Sequence, residues 1–245
     1  MASAVLRQDR QVKALLEFLG VASFSAWRQT VVGFRITPRA NVSVGALAVW
    51  LRKGELDGRQ RQTSAYDEAR FRNALLAIRR LTTEHPKVFQ PQVEQLCADA
   101  GVAVAFVPEL PRSGAHGVAR WLTPDKALIQ LSLRYKTNDH LWFSFFHEAC
   151  HVLHHRLRKI HVDGLDGGDE EEADTSASDM LIPPEAWASF IGTGTPASSE
   201  VERFAREVGI APGIVVGRLQ HERIVPWRSD LNHLKVSFRW SDDEA

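Results

Sequence analysis

The stretch LWFSFFHEACHVL, residues 141–153, decides how this chain reads. It is too long and too uniformly apolar for an ordinary strand, and its apolar residues go all the way round, as in a buried helix. Polar groups placed in such a helix need a reason, because burying them unpaired is costly. His147 and His151 lie four residues apart, one turn apart on one face, so both imidazoles can point at a single ion with Glu148 beside them. A catalytic zinc takes three protein ligands and keeps a fourth position open. A neighbouring carboxylate then takes the proton of the attacking water, and Glu148 is the candidate base. Composition alone would place about 0.03 such His-Glu-x-x-His pentapeptides in a chain of this make-up. The structural alternative is two histidines satisfied by hydrogen bonds on a half-buried helix.

A third ligand has to come from elsewhere, and the run Glu170-Glu-Glu-Ala-Asp174 begins the next predicted helix, which Pro183 and Pro184 end. Adjacent helical residues project about 100° apart, so only one of Glu170, Glu171 and Glu172 can face the metal. Glu170 is the choice, because Asp174 then follows on the same face and can accept the free ring N–H of a liganding histidine. An exposed acidic first turn, favoured by the helix dipole, is the alternative for the run as a whole. Tyr135 and His154 are candidates for stabilising a transition state. The histidine that would follow in a metzincin pattern falls at position 157, which is Leu157. His155 and His161 read as surface or supporting groups, and Cys150 as a small buried apolar residue. Asp163, Asp166 and Asp169 do not make an EF-hand, whose third position is here Leu165.

Ahead of the helix, Val102–Val107, His116–Trp121 and Ala127–Leu133 read as strands. The last alternates as a strand with one face on a core, and together they predict an antiparallel sheet. A turn is expected at 136–139. A short helix is expected to start at Pro91 and end at Gly101, and His233–Trp240 alternates as a further strand. The first 80 residues read as helices: one ending at Gly20, one capped by Ser43 and ending at Gly54, and one over 66–81. Loops or boundaries are expected at 58–64 and 85–91. Ala205, Gly209 and Val215 have helix-turn-helix offsets, but Pro212 and the scarcity of basic residues favour a helical pair packed on the core.

The chain has 245 residues, 44% hydrophobic, with net charge zero and two cysteines far apart, Cys97 and Cys150. That is enough for a core without a disulfide framework, and it suits a reducing compartment. No secretory leader or membrane span is read, so the expected location is cytoplasmic. Residues 1–80 hold 14 Lys/Arg and 6 Asp/Glu, a balance of +8 that the rest of the chain offsets. Such a half attracts nucleic acid or an acidic partner, or is simply a solvated Arg-rich face, so direct nucleic-acid binding stays open.

The residues ALIQLSLRYKTNDHLWFSFFHEACHVLHH (127–155) and EEEADTSASDMLIPP (170–184) resemble the ImmA/IrrE family of metallopeptidases. LCADAGVAVAFVPELP (96–111) and FAREVGIAPGIVVGRLQ (204–220) resemble the variant fused behind a Cro/repressor-type helix-turn-helix in HigA-like regulators, here without that domain. Asp174 stands where many members have Asn. The resemblance implies one zinc per chain on His147, His151 and Glu170, with Glu148 as general base. It also implies cleavage of a helix-turn-helix repressor to relieve repression. The expectation is an α+β, zincin-like (gluzincin) peptidase domain over 85–245, with a small antiparallel sheet, behind a helical region over 1–84. The competing expectation is a transcriptional regulator or antitoxin component that uses this fold as a sensor.

Overall fold

The structure is a computed structural model that describes residues 2–23, 42–154, 161–162, 170–192 and 196–240. His155 and the aspartates of 163–169 lie outside these residues. The fold mixes helices with one small sheet, compatible with the α+β expectation.

The sheet comprises β1 (Val102–Phe106), β2 (Gly117–Thr123), β3 (Lys126–Leu131) and β4 (His161–Val162), in the order β1-β3-β2-β4. β2 pairs antiparallel with β3 and β4, but β1 pairs parallel with β3, Val104 lying opposite Ile129. The expected antiparallel sheet is therefore a mixed one. The tight β2–β3 turn makes a hairpin, whereas the long segment from Val107 to His116 lets the chain cross over, so that β1 meets β3 instead of β2.

Among the described residues four α-helices precede the sheet, the first three being α1 (Ala2–Leu19), α2 (Val44–Gln60) and α3 (Glu68–Arg80). Ser43 caps α2 by accepting from Ala46 N, and Asp67 caps α3 by accepting from Arg70 N. α1 stops at Gly20, which has φ of 68°. The expected end of the second helix at Gly54 is wrong, since α2 runs on to Gln60. Gly54 is there for contact: a Cβ at that position would sit 2.0 Å from the side chain of Gln130 on β3, whose amide donates to Trp50 O at 2.7 Å. α4 (Pro86–Asp99) likewise starts before the expected Pro91, with His85 as cap and Pro86 in the first turn, where a missing N–H costs nothing. Pro91 lies inside that helix.

Both faces of the sheet are buried, which corrects the one-sided reading of β3. Leu128, Ala103, Ala105 and Val118 pack with Leu47, Trp50 and Leu51 of α2. Ala127, Ile129, Leu131, Val102 and Val104 join a larger core with Phe71 and Ile78 of α3 and with Trp142, Phe145 and Phe146 of α5 (Asn138–His154). The alternation thus separates two cores, not core from water. The larger core continues into α6 (Glu170–Leu181), α7 (Pro184–Ile191), α8 (Ser198–Val208) and α9 (Pro212–His221). Val215, Val216 and Leu219 of α9 are fully buried, which leaves little of that helix to enter a DNA groove. The expected strand at 233–240 reduces to one bridge, Thr137 to Ser237. Its first residues are taken into a 3₁₀ turn, Asp230–Leu234, and Phe238 turns inward against Phe89.

Candidate metal centre

α5 is buried from Leu141 to Leu153 apart from half-buried Phe143, so its polar residues are enclosed on every side. His147, Glu148 and His151 are 1%, 0% and 2% exposed. Water does not compensate groups buried that deeply, so they need partners or an ion.

His147, His151 and Glu170 form a group that could hold a metal ion, their ligand atoms lying within 4.8 Å of one another. Nε2 of His147 is 3.0 Å from Nε2 of His151 and 3.2 Å from Oε2 of Glu170, and His151 Nε2 is 3.6 Å from Glu170 Oε1. Ligand bonds of 2.0–2.1 Å in a tetrahedron place ligand atoms about 3.4 Å apart, so the three separations fit one small cation. Oε1 of Glu170 is buried and makes no hydrogen bond among the described residues, which leaves its lone pairs available to such an ion.

Two further observations prepare the donors. Asp174 Oδ1 lies 2.8 Å from His147 Nδ1. A carboxylate can only accept, so Nδ1 carries the proton and Nε2 is left as the lone-pair donor facing the group. Burial alone would raise the carboxyl pKa of Glu170, but the imidazoles of His147 and His151 beside it outweigh that and hold it down to about 2. Glu170 is therefore an anion at neutral pH. It starts α6, while Glu171 and Glu172 are exposed. Cys150, between the two histidines, has its thiol pushed up to about 12, chiefly by burial, and is unreactive at neutral pH.

Glu148 turns toward the start of β2. A Cβ on Gly117 would lie 2.6 Å from Glu148 Oε1 and 2.8 Å from its Cγ, so a bare backbone there is what admits the carboxylate. Sequence reasoning missed Gly117, which reads only as one more glycine near a turn. It also missed the ring cluster around Tyr135, which packs 4.8 Å from His116 and 4.4 Å from His140, ring centre to ring centre. Tyr135 is half-exposed there, and His140 lies two turns before His147 on α5. His154 is exposed at the last residue of α5 and is not in the metal-competent group. The backbone of His161 pairs with Ala119; its side chain lies outside what the structure describes.

Compared with protein-family models and with curated proteins, the chain matches none. Two imidazole nitrogens and one carboxylate oxygen suit a borderline cation, and a buried carboxylate, that of Glu148, follows directly on His147. Among the described residues, no helix is long and apolar enough to cross a membrane.

Proposed function

We propose that this chain is a zinc-dependent endopeptidase of the zincin-like (gluzincin) type. The observation that carries the reading is the convergence of His147, His151 and Glu170 inside a buried helix pair, with Asp174 orienting one imidazole. Zinc on these three residues would supply Lewis acidity and lower the pKa of a water to about 7. Glu148, enclosed and held against Gly117, accepts the proton of that water and delivers it to the departing amine. Asp174 keeps His147 in one tautomer and orientation throughout, which preserves the geometry at its Nε2.

The substrate class follows from the family resemblance: a helix-turn-helix repressor, cut in the cytoplasm to relieve repression. The test is incubation of the zinc-loaded protein with the helix-turn-helix protein encoded nearest to it, with fragments read by mass spectrometry. Cleavage that stops in Glu148→Gln, with zinc content unchanged, supports the reading, because the base is not a ligand. Intact substrate, together with specific DNA binding that survives removal of the metal, would transfer the protein to the regulator class.

A further inference from the structure

α6 brings Glu170 and Asp174 to the histidines of α5, and packing alone does not fix its place there. Its buried residues are Ala173, Ala177 and Leu181. Two methyl groups set how closely a helix approaches its neighbour, but they interdigitate too little to set its tilt. A cavity of about 80 Å³ beside Phe143, bounded by α5, α6 and α9, leaves the helix without a wedge of side chains on that side.

The end of α6 is held by hydrogen bonds instead. Nη1 of Arg218, on α9, donates to Ser178 O at 3.0 Å and to Ile182 O at 3.1 Å. A guanidinium at that place also meets the negative end of the helix dipole. Arg79 of α3 donates to Leu181 O at 2.9 Å. Arg218 is itself fixed in turn: its Nε donates to Glu222 Oε1 at 2.8 Å, and its Nη2 lies 3.5 Å from Asp179 Oδ1. Its Cζ lies 4.6 Å from the ring centre of Trp187, whose indole N–H donates to Glu222 Oε2 at 2.9 Å. All three guanidinium nitrogens thus have a partner, in a planar fork that a lysine cannot reproduce.

Ser178 follows Asp174 by four residues, as Asp174 follows Glu170, so the arginine grips the stripe of α6 that carries both carboxylates. Eight residues of helix put that grip about 12 Å from Glu170, and a tilt of about 5° around it would carry Glu170 by about 1 Å. Metal ligation tolerates only about 0.2 Å. Resting on the metal reading above, we infer that Arg218 is the positioning residue for the third ligand. By fixing the end of α6 it aims Glu170 at the point where His147 and His151 converge, and it contributes no ligand of its own.

The experiment reads metal binding by the full chain, with zinc and Co²⁺ as probes. Zinc dissociation constants are measured by chelator competition for the unaltered protein, Arg218→Met, Arg218→Lys and Arg61→Met. The last breaks the 2.6 Å pair of Arg61 with Glu94, away from α6, and controls for lost stability. Arg218→Met should weaken zinc about 10–100-fold and Arg218→Lys several-fold, and both should change the visible spectrum of bound Co²⁺. Arg61→Met should stay within about twofold with an unchanged spectrum. In Glu170→Ala, where no third ligand is left to aim, Arg218→Lys should cost less than about twofold further. Circular dichroism checks that each variant is folded, and the lysine variant carries the comparison if the methionine one is not. Zinc affinity unchanged on substituting Arg218, or lost equally in Arg61→Met, overturns the positioning role. A full loss on adding Arg218→Lys to Glu170→Ala overturns the route through that ligand. No zinc uptake by the unaltered protein defeats the metal reading and this inference together. Zinc uptake that depends on Arg218, without cleavage of any peptide, keeps the inference and defeats the peptidase reading instead.

Discussion

Replacing Gly117 by alanine perturbs the proposed base without touching any of the three ligands. The added Cβ would lie 2.6 Å from Glu148 Oε1, 2.8 Å from Cγ and 3.0 Å from Cδ. Ordinary contact begins at 3.4 Å, so Oε1 would have to retreat by about 0.8 Å. Glu148 is 0% exposed and follows directly on His147, so the carboxylate cannot swing into solvent, and the displacement falls on its approach to the water. A misplacement of about 1 Å at a reacting group can cost on the order of 100-fold in rate. Overpacking adds about 1–3 kcal/mol of destabilisation, which a domain of this size can carry. The expectation is a fall of about 10–100-fold in kcat for peptide cleavage, with zinc affinity within about twofold of wild type. In the Glu148→Gln background, where there is no base left to misplace, Gly117→Ala should cost almost nothing further. Steady-state kinetics with metal analysis of all four proteins is the assay. Cleavage by Gly117→Ala within twofold of wild type would refute the placement of Glu148 as base, and loss of zinc would show that the strand supports the ligands instead.

Zinc titration should separate the three acidic residues that start α6. Glu170→Ala should bind zinc far more weakly and Asp174→Ala about 10–100-fold more weakly, while exposed Glu171→Ala stays at wild type; a zinc-free Glu171→Ala would overturn the register. Glu55 on α2 offers a test of pH dependence away from the site. Burial raises its pKa, but hydrogen bonds from Arg59 and Arg52 and the charges of Arg120 and Arg52 outweigh it and hold the carboxyl below its ordinary 4.5. A value lowered by folding stabilises the protein above pH 4.5 and loses that contribution as pH falls through the folded value. Glu55→Gln should therefore cost about 1–3 kcal/mol at pH 7, since it also leaves the buried Arg120 less compensated, with the figure discounted for the partial exposure of Glu55. Denaturant melts at pH 7 and near pH 3 check it. A difference that fails to shrink at the lower pH would show that packing, not charge, is lost.

How far the fold could be read from the sequence depended on how local each signal was. Ser43, Asp67 and Gly20 act within a few residues of themselves, and the helix ends they mark are found where the spacing puts them. Gly54 was misread because a glycine that ends a helix and one that admits a neighbour look alike in sequence. Only the approach of Gln130, far along the chain, tells them apart. The sheet failed for a related reason: alternation in β3 reports two different surroundings, and Leu128 and Gln130 face α2 instead of water. The parallel pairing of β1 with β3 depends on the path of a whole loop, which no period in the strands encodes.

The metal-competent group was legible because each half is a one-turn pair. His147 with His151 and Glu170 with Asp174 are both four residues apart, so helix geometry alone puts each pair on a common face, and only the meeting of the two faces was left for the fold to supply. Gly117 and the cavity beside Phe143 have no such local signature. Gly117 matters through a strand that crosses Glu148, and the cavity through a space bounded by three helices. The difference follows from what each feature must do. A metal fixes distances of a few ångströms between few atoms, which a helical turn can hold, whereas a cavity is an absence of atoms, and an absence is defined only by everything that surrounds it.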